Sequence, residues 1–418
     1  MLFIFYLLLC ATLIIKLKFF KNSGLTPQWL CLFFVVKILA GVAFGLFYKQ
    51  PRYFATADTW RFYKQSLIEK DWLLHNPVQF GKDLFTYGYS NSGNVFSGNN
   101  SYWNDLKSNL IIKLLAVCNV LTNNSYFTNI ILFNFLFLFG LVALLRVAQQ
   151  ELTLPKWVLI LAIFFIPGTL FWCSGIHKDG LILSATGLAI FWFYKIITST
   201  TIHLKWVSGL FLSICLVLVF RSYVALALLP AMFSWWLTMR LKRNLLLVFG
   251  SVYFVGIALF FCSPFISSAV NFPEFLATKQ HEFLLLSGGS ALPVKSLEGN
   301  LTSFLKYMPT ALDIAFLRPH VYEAKNVATL SALFELWMIG LLIIMAFIFP
   351  LKKQSNPFTF FLLFFGLSLL IIAGYTVTFT GALVRYRSFV LPFIVLPILT
   401  FINFKATRLP FNLFVNKG

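Results

Sequence analysis

Long apolar runs recur from one end of the chain to the other and leave little choice of fold. With a span taken as roughly 17 or more apolar residues, eleven stretches qualify, the first and sixth being short. They lie near 2–18, 28–48, 126–146, 156–173, 180–198, 206–221, 223–239, 244–262, 331–350, 357–379 and 387–404. Of 418 residues, 59% are hydrophobic and only 11% charged, more apolar surface than a soluble fold can hide. In hydrocarbon each backbone polar group must be satisfied internally, which runs of this length achieve as helices. The expectation is an all-α, polytopic integral membrane protein with about eleven transmembrane helices in a single transmembrane domain over 1–418.

Two polar stretches interrupt the runs. The first, 49–125, is expected to form an extracytoplasmic loop, with an interfacial helix at 110–121 that is too short to span and carries Lys113. It holds a Gly/Ser/Asn-rich segment, Ser90–Ser101, that reads as a loop able to order on substrate. The second extracytoplasmic loop, 263–330, contains Leu286-Ser-Gly-Gly-Ser290 of the same character. Positive charge in short loops sets orientation. Lys16/Lys18/Lys21, Arg146/Lys156, Lys195/Lys205, Arg240/Lys242/Arg243, Lys352/Lys353 and the tail with Lys405, Arg408 and Lys417 all fall on one side, which is then cytoplasmic. The N-terminal lysines follow their apolar run, the reverse of a signal peptide, so an uncleaved first span with its N-terminus outside is expected.

The net charge of +20 points to anionic lipids or phosphates as partners, and no nucleic-acid-binding motif accompanies it. None of the six cysteines forms a CxxC pair, so disulfide frameworks and metal clusters are not expected. P-loop, GxSxG, HExxH and zinc patterns are absent, and so is a Gly-rich nucleotide fold, which argues against a cytoplasmic nucleotide-sugar donor.

Against that oily background the ionisable residues stand out. Phe171-Trp-Cys-Ser-Gly-Ile-His-Lys-Asp-Gly180 is a polar turn between two spans. There His177 can shuttle a proton, Lys178 can bind a phosphate, and Asp179 can act as a base or hold a metal. Its plainer reading is a solvated turn in which Asp179 caps the next helix. Tyr53-Phe-Ala-Thr-Ala-Asp58-Thr-Trp-Arg61-Phe-Tyr63 follows the second span. Asp58 is a candidate general base and Arg61, one helical turn on, a partner for Asp58 or a phosphate. Alternatively Thr56 or Asp58 is a helix N-cap within an aromatic interfacial belt. Arg221, pinched between two spans, either meets an anion or snorkels. Arg385-Tyr-Arg387 at the mouth of the last span is either a phosphate clamp or an interface anchor. Lys37 lies in mid-span, where an unpaired ammonium costs at least ~2.5 kcal/mol, so it should pair with an acid, line a cavity or be deprotonated. Asp313, Arg318, His320 and Glu323 form a late cluster expected to lie on the membrane and cover the site.

Three of these features together resemble the membrane-embedded GT-C class of glycosyltransferases: Ala57-Asp58-Thr-Trp-Arg-Phe-Tyr63 in the first outer loop, the His177-Lys-Asp179 turn, and Arg385-Tyr-Arg387 before a Pro-containing last span. The resemblance implies an enzyme of a bacterial inner membrane using a polyprenyl-linked saccharide outside the cytoplasm. Asp58 would be its base, and Arg385 and Arg387 would bind the lipid phosphate. The usual paired acids of the first loop are reduced here to Asp58, with Arg61 where a second acid or a tyrosine is expected. The layout is also similar to that of O-antigen polymerases, in which arginines do the principal work. The resulting expectation is a glycosyltransferase with catalytic Asp58, His177 and Asp179, and with Arg61, Lys178, Arg221, Arg385 and Arg387 on substrate phosphate. It would need no cofactor, a divalent metal being the one alternative. A polymerase of lipid-linked repeat units and a non-catalytic flippase are the competing readings.

Overall fold

A computed structural model of the chain describes residues 1–55, 57–86, 102–266, 270–286, 290–351 and 356–404. Thr56, the whole of Ser90–Ser101, Ser287–Gly289, Lys352, Lys353 and the tail with Lys405, Arg408 and Lys417 lie outside the described residues. The described residues hold helices and no strand.

The first helices are α1 (Leu2–Lys16), α2 (Lys18–Lys21), α3 (Pro27–Lys49) and α4 (Pro51–Phe54). Pro27 and Pro51 each sit at the first helical position, where the missing N–H costs nothing. Next come α5 (Asp58–His75), α6 (Pro77–Thr86), α7 (Tyr102–Thr122), α8 (Tyr126–Glu151), α9 (Lys156–Phe164), α10 (Pro167–Trp172), α11 (Lys178–Thr198) and α12 (Leu204–Phe220). The remainder are α13 (Ser222–Leu241), α14 (Leu245–Ile266), α15 (Phe272–Leu284), α16 (Leu301–Phe316), α17 (Val327–Ile348), α18 (Pro357–Thr376), α19 (Thr380–Ser388) and α20 (Leu391–Thr400).

Among the described residues seven helices are long and apolar enough to cross a membrane, namely α3, α8, α11, α13, α14, α17 and α18. The pair α19–α20, bent by 60°, makes an eighth if it is one span. The expected short spans appear as the shorter apolar helices α1 and α12. Two runs read as single spans are broken. The 156–173 run divides into α9 and α10 at Phe165-Ile166, because the residue before Pro167 is pushed out of helical geometry. The 387–404 run does not begin a helix; Arg387 lies in the last turn of α19, which ends at Ser388, and a new helix starts at Leu391-Pro392. The expected interfacial helix at 110–121 is part of the longer α7, 21 residues from Tyr102 to Thr122. The described residues of the two polar stretches contain the helices α5–α7 and α15–α16 respectively.

The chain packs as two compact units, 1–146 with 170–222, and 147–169 with 223–418. In the first, α8 and α11 approach so closely that a Cβ on Gly140 would lie 2.2 Å from the Ser184 backbone, the small-residue contact typical of helices in lipid. Polar side chains then tie α5, α7 and α8: Asn119 donates to Ser66 Oγ (2.8 Å), Asn129 to Asn119 Oδ1 (2.6 Å) and Thr122 to Asn129 Oδ1 (2.6 Å). Lys113, expected at an interface, is instead buried. It bridges Glu69 (2.8 Å) and Asp83 (3.2 Å) and donates to the Phe80 carbonyl (2.6 Å), clipping α5, α6 and α7 together. Burial pushes the Glu69 carboxyl above the usual range, with Lys113 opposing and Asp83 adding to the rise.

In the second unit α18 is central. Trp235 of α13 packs on Phe358 and Phe361, and Phe249 of α14 on Phe364. Asparagine caps start four helices here: Asn271, Asn300, Asn326 and Asn356 each accept from the backbone amide three residues on.

Candidate functional site

Asp58 is the first residue of α5, in the turn where exposed N–H groups favour a carboxylate. The expected N-cap role does not fall to it, since Ala57 occupies that position. Its setting is rigid. Thr59 hydrogen-bonds Tyr126 Oη (2.7 Å), Trp60 stacks on the Tyr126 ring (centroids 4.0 Å) and donates to the Gly45 carbonyl (3.2 Å), and Phe62 is fully buried. Arg61 reaches back to Asp58 at 3.0 Å.

The turn bearing His177 is not a solvated loop. Residues Trp172 to His177 are all buried, as are Asp179 and Gly180, while Lys178 is half-buried. Gly175 lies against the Phe44 ring and Gly180 against Phe137. From α3, Lys37 supplies the missing polar partner, donating to the Cys173 carbonyl (3.2 Å) and to Ser174 Oγ (2.9 Å), while Asn134 donates to the Ser174 carbonyl (2.7 Å). The acid partner expected as one possibility for Lys37 is not what it meets: its amine satisfies groups just past the end of α10. A hydrogen bond to a charged group contributes about 1.5–3 kcal/mol. Lys37→Met is therefore expected to loosen the turn and raise the rate at which a thiol reagent modifies Cys173, 1% exposed in the native chain, by roughly tenfold or more. Peptide mapping reads this directly, and unchanged protection of Cys173 would show that the ammonium is dispensable to the turn.

Asp58, His177, Asp179 and Arg221 form one chain of charged and polar groups. His177 Nε2 faces Asp58 Oδ2 at 3.5 Å, and its Nδ1 lies 2.9 Å from Asp179 Oδ2. The Asp179 amide also points at Nδ1, at 3.4 Å. The contact to the carboxylate is the shorter and charge-assisted one, so Nδ1 is the nitrogen that donates. Arg221, at the end of α12, donates from Nη2 to the other oxygen of Asp179. Only the first member is open: side-chain exposure is 34% for Asp58 against 3% for His177, 1% for Asp179 and 7% for Arg221. Both carboxylates aim at the imidazole rather than at a common point. Among the described residues no group of three or more His, Cys, Asp or Glu side chains is arranged to hold a metal ion. Lys178 reaches Ser108 Oγ (3.2 Å) and sits over the Phe62 ring (5.3 Å).

Six of the eight residues singled out in the sequence thus gather in the first unit. There Arg221 is engaged by the Asp179 carboxylate and Arg61 by that of Asp58. Arg385 and Arg387 belong to the second unit. Arg385 is half-buried. Arg387 is 3% exposed, donates from Nη1 to the Arg318 carbonyl (2.7 Å), and has Glu335 as its electrostatic partner. Glu335 escaped the sequence reading, although a lone acid inside the apolar run of α17 is a signal in itself. Its carboxylate accepts from the Gly168 amide beside the α9–α10 break. The late cluster is closed on itself, Arg318 bridging Asp313 (2.7 Å) and Glu323 (2.5 Å), with His320 3.2 Å from Asp313.

No protein-family model matches the chain, and no curated protein or solved structure shows significant similarity to it.

Proposed function

We propose that the protein is a membrane glycosyltransferase that moves a sugar or glycan from a polyprenyl (di)phosphate carrier to an acceptor hydroxyl. The observation that carries this reading is the relay in which a single open carboxylate, Asp58, is backed by buried His177, Asp179 and Arg221. An acceptor hydroxyl bound at Asp58 gives up its proton to the carboxylate, with His177 Nε2 able to take it onward. The acceptor oxygen then bonds to the anomeric carbon as the bond from that carbon to the phosphate oxygen breaks. The electron pair leaves on the lipid phosphate, whose charge Arg61 and Lys178 meet. Asp179, neutralised by Arg221, fixes the imidazole so that Nε2 faces Asp58.

This reading places the chain in a bacterial inner membrane. The N-terminus, Asp58 and both polar stretches lie outside, and the C-terminus lies in the cytoplasm. The test uses the purified chain in liposomes loaded with a polyprenyl-diphosphate-linked saccharide and an acceptor glycan. Release of polyprenyl diphosphate together with a glycosylated acceptor is the expected result, and a product that keeps lengthening identifies the polymerase form of the same chemistry. An intact lipid-linked saccharide that merely changes leaflet would replace the enzyme by a flippase.

A further inference from the structure

Where α13 ends and α14 and α18 begin, the second unit holds an open cavity of about 590 Å³. Its walls are of two kinds. Lys242 and Arg243 supply two cations from the connecting turn, while Met239, Leu245, Leu246 and Phe360 are apolar. The apolar side opens outward, Leu246 being 64% exposed. The turn itself is set by local geometry. Lys242 sits at φ 49°, a left-handed conformation that costs a non-glycine residue about 1 kcal/mol, and Asn244 accepts from the Leu246 amide (2.9 Å). Beneath, the walls are fixed by Trp235 on Phe358 and by Phe249 on Phe360.

All three helices that meet here are long and apolar enough to cross a membrane. Their converging ends lie where a bilayer gives way to its headgroups. A solvated basic turn needs no cavity, and a free anion needs no exposed apolar flank. We infer that this cavity binds the headgroup of an anionic phospholipid, its phosphate between Lys242 and Arg243 and its acyl chains leaving along Leu246. The site is independent of the transferase reading, since it needs neither substrate nor relay.

The experiment titrates phosphatidylglycerol or phosphatidylcholine into the full-length chain in detergent micelles and counts retained lipids by native mass spectrometry. Phosphatidylglycerol should bind selectively, and K242Q/R243Q should weaken it by roughly ten- to thirtyfold, as expected for two cations near a lipid surface. The variant M239W, which fills the cavity and leaves both charges, should weaken it as well. K18Q/K21Q removes the same charge from an exposed site in the first unit and should have no effect. Equal loss in K18Q/K21Q, undiminished binding in M239W, or displacement of the lipid by equimolar inorganic phosphate would each overturn the inference.

Discussion

Asp58→Asn is expected to lower glycan transfer by about 10²- to 10⁴-fold, the usual contribution of a positioned general base. The amide keeps the size of the carboxylate and can still meet Arg61, but it cannot accept the hydroxyl proton. Stability should change little, because Asp58 is the exposed end of the relay and its neighbours Thr59, Trp60 and Phe62 hold α5 in place without it. Product formation in the liposome assay, normalised to folded protein, measures the effect. Full activity in D58N would remove the base assignment and leave the buried groups to be explained structurally.

The second large effect concerns stability. Asp179 and Arg221 are an ion pair with side chains 1% and 7% exposed. Removing one partner strands the other charge out of water, which costs about 3–5 kcal/mol. Arg221→Met should therefore destabilise the chain by roughly that amount in a denaturation titration in mixed micelles. The double change Asp179→Asn with Arg221→Met removes both charges and should recover most of the loss, since buried pairs replaced by neutral groups are often near-neutral in stability. Turnover should stay low in the recovered protein, because Nδ1 of His177 has lost the carboxylate that orients it. Equal instability of the single and double variants would mean that the pair is not the source of the cost.

Much of the candidate site was legible because hydrocarbon makes charge conspicuous. Asp58, His177, Asp179 and Arg221 each stand at the edge of an apolar run, and packing brings these residues from three distant stretches into one relay. Their order could not be read from spacing, since it depends on α5, the 173–180 turn and the end of α12 meeting in three dimensions. Lys37 was recognised as anomalous but not its purpose, because its acceptors are a carbonyl and a hydroxyl rather than an acid. Lys113 misled for the opposite reason: it reads as an interfacial lysine until Glu69 and Asp83 close around it. The breaks in the fourth and last runs had visible causes in Pro167 and Pro392, which length and hydropathy outweighed in the reading of spans.

The most direct measurement of the central claim is a double-mutant cycle on Asp58 and His177, reading the initial rate of polyprenyl diphosphate release. If the two act in series on one proton, D58N, H177N and the double variant should fall to a similar low rate, because removing either member already breaks the relay. Losses that multiply, or a D58N rate that matches the native chain, would show that the carboxylate and the imidazole do not work as one device.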